Sequence, residues 1–136
     1  MNYTDQLKRQ HQDIFSVIKD TNALVKSGNI EANSQQIAMN ISSLAGKLQV
    51  HLSYEDKHLY PKLLESGNPV VKSKAKQYIA EMGDLSSVFT DFKSRYNTKP
   101  KILAEIQAFK SDYTKVFTAL ETRMNKEDKD LYLNIY

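Results

Sequence analysis

Residues 51–61 read HLSYEDKHLYP and residues 123–133 read RMNKEDKDLYL. Set over one another, Glu55, Asp56, Lys57, Leu59 and Tyr60 recur as Glu127, Asp128, Lys129, Leu131 and Tyr132. In the first copy His51 and Glu55 are one helical turn apart, so an imidazole and a carboxylate share a face and can reach a single metal ion. The second copy keeps its carboxylate, Glu127, and carries Arg123 where the histidine stood. The chain reads as a duplicated metal-binding unit of which one half has lost ligands.

The surrounding sequence sets this unit on helices. Four Gly and three Pro punctuate 136 residues, and they divide the chain into four helical pieces at about 3–27, 34–65, 69–96 and 100–134. Gly28 suits a C-terminal cap, Asn68-Pro69 suits an N-cap followed by a first helical residue, and Asn97 to Pro100 opens the last piece. Apolar residues recur at intervals of three and four, as in Ile37, Ile41, Leu44 and Leu48, or Met82, Leu85, Phe89 and Phe92, or Val116 and Leu120. Such stripes are core seams, and the short connections make successive helices antiparallel neighbours. The expected architecture is all-α: one domain, residues 1–136, folded as an up-down-up-down four-helix bundle with Leu48, Leu85, Phe89, Val116 and Leu120 in its core.

Polar residues interrupt three of these seams. His11 falls roughly 12 Å from one end of the bundle at 1.5 Å per residue, and His51, Glu55, Met82, Arg123 and Glu127 fall roughly 15–21 Å from that same end. They are expected to form one buried layer. Burying isolated charges costs several kcal/mol, so such a layer implies mutual pairing or a metal. The Arg123 fork is expected to bridge Glu55 and Glu127, a fixed cation in place of a metal cation. Met82 is expected to fill core space, since a thioether suits a hard ion poorly. His58 continues the seam as Glu55-x-x-His58, the spacing of ferritin-like di-iron bundles, but no seam Glu on the first helix and no long crossover accompany it. It is expected at the bundle end, partly solvated.

The pattern resembles the hemerythrin-like, or HHE cation-binding, domain family. His11 in QHQDIF matches the family's first ligand, and His51 and Glu55, followed by Leu59-Tyr60-Pro61, match its second motif. The resemblance spans nearly the whole chain and implies a four-helix bundle that usually holds two irons. This chain departs at Met82 and Arg123, where the family carries histidines. The resemblance therefore implies a reduced metal site formed by His11, His51, Glu55 and Glu127, holding a single iron or only partly filled, or empty. It implies binding or sensing of oxygen, nitric oxide or redox state, or iron handling. The alternative is a metal-free regulatory or interaction module whose old site Arg123 closes.

Composition narrows the remaining classes. Zero cysteine removes disulfides, thiolate ligands and thiol nucleophiles. A net charge of +3 without any block of like charges gives no footprint for nucleic acid. No apolar run resembles a signal peptide or could span a bilayer, so a cytoplasmic protein without membrane attachment is expected. No nucleophile with its base and no phosphate-binding glycine loop occurs, and the chain is expected not to be an enzyme. Its expected partners are a metal ion or a small diatomic ligand.

Overall fold

The computed structural model describes residues 3–131. Its elements are α1 (Tyr3–Lys26), α2 (Ile30–His58), α3 (Tyr60–Leu64), α4 (Pro69–Tyr96), α5 (Lys99–Ala104), α6 (Ile106–Lys126) and a terminal π turn (Glu127–Leu131), with no strand among the described residues. α1 packs on α2 and α6, and α4 packs on the same two, so the four long helices form an antiparallel bundle. No described helix is long and apolar enough to cross a membrane.

Local chemistry explains where each helix starts and stops, including three departures from the expected boundaries. Gly28, at φ +84°, closes α1 in the left-handed region that a side chain rarely adopts. Asn29 then caps α2, its side-chain oxygen accepting from the Ala32 N–H at 3.1 Å, so α2 starts at Ile30 rather than near residue 34. The early start buries Ile30 in the core. The second expected helix divides because Pro61 has no N–H to continue the ladder, and the chain re-forms as the short α3. The fourth divides at Glu105, whose φ −146° and ψ 65° leave the helical region. The break lets α5 fold over α2 with Ile102 fully buried. The expected last residues of this helix, 132–134, lie outside the described residues, as does Tyr132.

The core is in two parts. The larger holds Leu48, Leu85, Phe89, Val116 and Leu120, all buried as expected, together with Phe92, Phe109 and Phe117. The smaller holds Leu7, Leu59, Tyr60, Leu63, Ala75 and Tyr78. On α1 the seam runs from Leu7 in the small part to Ile14 in the large one, and His11 stands between them. On α2 it runs from Leu48 to Leu59, with His51 and Glu55 between. On α6 it runs through Leu120 and Met124 to Glu127. The polar layer is thus sealed by apolar side chains above and below. His58, by contrast, is exposed and packs at a tilt against Tyr54 at the end of α2, 4.4 Å between ring centroids.

Candidate metal centre

His11, His51, Glu55 and Glu127 are each buried to within 1%. A ring nitrogen of His11, one of His51 and a carboxylate oxygen of Glu127 lie within 4.8 Å of one another, and Glu55 Oε1 adds a fourth donor atom 3.0 Å from His51 Nε2. One such cluster occurs among the described residues. α1 and α2 bring the imidazoles together with centroids 4.4 Å apart. The π turn that ends the last helix brings Glu127.

The hydrogen-bond partners fix where the ring protons sit. His11 Nδ1 lies 2.8 Å from Asp128 Oδ1, and a carboxylate there can only accept, so Nδ1 carries the proton. His51 Nδ1 lies 2.8 Å from Gln10 Oε1 and likewise donates. The two Nε2 atoms face each other within hydrogen-bond distance, 2.8 Å apart. Glu55 Oε1 points at the same spot. Four groups able to ligate a metal converge, and each histidine is oriented from behind by an oxygen, the usual arrangement around a metal-ligating imidazole.

Burial without a compensating positive charge shows in the titration of these groups. His51 is lowered from 6.5 to about 4, chiefly by desolvation, although Glu127 and Asp128 pull the other way. Glu127 is raised well above the ordinary carboxylate range, first by burial and then by the Glu55 carboxylate, with which it shares a hydrogen bond. Tyr60 is raised by burial and by Glu55 and Glu127, so its hydroxyl stays protonated.

The donor set fits one cation of the zinc or ferrous type. Imidazole nitrogens and carboxylate oxygens suit such ions, and two nitrogens at about 2.05 Å from a tetrahedral ion would stand roughly 3.3 Å apart. The rings would have to separate by only about half an ångström from where they stand.

The structure corrects one expectation about this layer. Arg123 does not bridge Glu55 and Glu127. Its Nη1 pairs with Glu81 on α4, and its guanidinium lies 5.4 Å from the Tyr78 ring centroid. The long side chain carries its charge sideways to α4, where a half-exposed partner and an aromatic face cost less desolvation than the buried layer would. Met82 is buried in the larger core part, as expected. The sequence reading also missed Gln10 and Asp128. Asp128 was hidden by an assumed α-helical register. In the π turn successive side chains are about 80° apart instead of about 100°, so Glu127 and Asp128 both serve the histidine pair. Gln10 gave no signal beyond its place next to His11.

Asp128→Ala is expected to weaken Zn(II) or Co(II) binding about ten- to a hundredfold, because His11 loses the group that fixes its tautomer and ring orientation. Competition titration against a chelator measures this. Unchanged affinity would mean that His11 is held by other means.

A bundle with this cluster between its core parts belongs to a known class of cation-binding proteins. The chain is a member of the hemerythrin HHE cation-binding domain family, whose model matches residues 2–133. No curated protein and no solved structure matches it.

Proposed function

We propose that this domain binds a single non-haem metal ion, iron by family chemistry, through His11, His51, Glu55 and Glu127. On this reading it senses or carries a small diatomic ligand or redox state, or handles iron, in the cytoplasm and without catalytic turnover. The convergence of both Nε2 atoms and two carboxyl groups on one buried point carries the proposal. In the metal-free protein the Glu127 proton, shared with Glu55, holds that cluster together, and an entering cation takes its place. When bound, iron supplies a Lewis-acidic, one-electron redox centre. The protein's own part is to hold the imidazoles in one tautomer, exclude water with two apolar core layers, and release the Glu127 proton as the ion enters.

One ion rather than two is favoured by the α4 side. It offers Met82, and Arg123 is committed there to Glu81, so neither adds an imidazole. The same ion pair argues against a metal-free module closed by Arg123, since the guanidinium leaves the carboxylates of the layer alone.

Anaerobic titration of metal-free protein with Fe(II) and with Co(II), with metal content measured after desalting, tests the proposal. The expected result is one equivalent per chain, lost in His51→Ala. Two equivalents, or none, would sink it.

A further inference from the structure

One buried hydroxyl beside the proposed centre has no partner. α2 ends at His58 and α3 begins at Tyr60, so Tyr60 stands at the corner one turn beyond Glu55. The Leu59 N–H holds that corner by donating to the Glu55 carbonyl at 2.9 Å. The Tyr60 ring packs in the smaller core part, which seals the polar layer, and only 3% of the residue is exposed. Its hydroxyl is shut away from solvent and makes no hydrogen bond. Of the charged groups around it, Glu55 acts on it most strongly and Glu127 next, so its electrostatic neighbours are the two carboxyl groups of the layer. Two other tyrosines toward this end are engaged elsewhere. Tyr78 donates to the Lys126 carbonyl at 3.4 Å, and Tyr54 packs against exposed His58. A buried hydroxyl left without a bond costs stability, and a native fold rarely keeps one unless something else binds it.

Resting on the single-ion reading above, we infer that Tyr60 is a further oxygen donor of the centre, which binds a ferric ion through its phenolate and stands aside from a divalent one. Hardness and charge decide between the ions. An anionic phenolate oxygen is a hard donor and suits a trivalent ion better than a ferrous or zinc ion. Once the Glu127 proton is released, Glu55 and Glu127 supply two negative charges, which match a divalent cation. A trivalent cation would leave one positive charge uncompensated in a dry layer, and Tyr60 supplies the third negative charge. Asp128, the other carboxylate nearby, is 36% exposed and paired with His11, so solvent screens it. When the oxygen takes the ion, the O–H bond breaks and the proton leaves to solvent, with no electron transferred. A cation at that range reverses the field that keeps the hydroxyl protonated in the metal-free protein. The centre thereby discriminates by oxidation state, since a ferric ion gains a donor that a ferrous ion does not.

The test titrates metal-free protein with Fe(III), supplied as its nitrilotriacetate complex, and separately with Zn(II). The parent chain is compared with Tyr60→Phe and with Tyr54→Phe as the control. Phenolate bound to Fe(III) gives a visible charge-transfer absorption, and excitation within that band enhances the ring vibrations of the bound phenolate in the Raman spectrum. The parent and Tyr54→Phe should show both signals, and Tyr60→Phe neither. Loss of the donor should weaken Fe(III) binding about tenfold or more while Zn(II) binding stays within about twofold. Phenylalanine keeps the ring and removes only the unpartnered oxygen, so metal-free Tyr60→Phe should melt no lower than the parent. A lower Tm would reveal a structural partner for the hydroxyl and overturn the inference. So would unchanged absorption or Fe(III) affinity in Tyr60→Phe, or a parent chain that binds one equivalent of Fe(III) without the absorption. Those outcomes leave the metal centre standing. If the parent chain takes up neither ion, the centre itself falls, and the role of Tyr60 with it.

Discussion

Glu127→Gln is expected to lower metal affinity by a hundredfold or more, since even outer contacts of a metal site cost ten- to a hundredfold and the proposed centre takes Glu127 as a direct donor. The same substitution should stabilise the metal-free protein at alkaline pH. In the folded state burial and Glu55 keep Glu127 protonated well above its ordinary range. A carboxyl with a raised folded pKa contributes stability that is complete below its ordinary value of 4.5 and lost as pH rises beyond it. His51 acts in the opposite sense. Its pKa falls from 6.5 to about 4, so its contribution is complete above 6.5 and lost as pH falls toward 4. From 4.5 to 6.5 the two slopes oppose each other, and above 6.5 that of Glu127 alone remains. Metal-free protein should therefore melt at progressively lower temperature above pH 6.5, and Glu127→Gln should remove that decline. Calorimetric scans from pH 4 to 9 check this. A parent Tm that holds level above pH 6.5, or a variant with the same decline, would show that Glu127 is not the group responsible.

The second large effect lies in the other half of the molecule. Phe92 is fully buried and packs against Phe89, Tyr96, Phe109 and Phe117, with ring centroids 5.1–6.2 Å apart. It is where rings from α4 and α6 interdigitate. Phe92→Ala removes those contacts and leaves a cavity that helices cannot close without moving, at a cost of about 3–5 kcal/mol. For a domain of this size that lowers Tm by roughly 10–20 °C. Val88→Ala, one turn away on the exposed face, should change stability by less than about 0.5 kcal/mol. Equal losses at both positions in a denaturant titration would contradict this division of the core.

The two predictions bear on features that the sequence revealed to different degrees. Alternation by three and four was enough to place Leu48, Leu85, Phe89, Val116 and Leu120 in the core, because a buried stripe needs only helical periodicity and apolar volume. It placed His11, His51, Glu55 and Glu127 in one layer for the same reason. What it could not reveal was anything that depends on a departure from α-helical geometry or on the reach of a long side chain. The ladder broken at Pro61, the turn at Glu105 and the π turn at Glu127 all lie inside pieces whose apolar pattern continues across them. Arg123 occupies a seam position by its Cα yet delivers its charge to Glu81 on another helix. Asp128 and Gln10 act through single hydrogen bonds, for which one sequence provides no period to detect.

The π turn closes the chain onto its beginning. An antiparallel bundle with an even number of long helices leaves both ends at one pole, and His11 and Asp128 are joined there across a span of 117 positions (128 − 11). A tension applied between the two termini would peel the first helix from the last as a zipper opens, tooth by tooth, instead of shearing them along their length. After Leu7, the next buried tooth on the first helix is His11 with its partners Asp128 and His51. The residues that would grip an ion are thus also the latch that holds the first helix to the turn after the last against a pull.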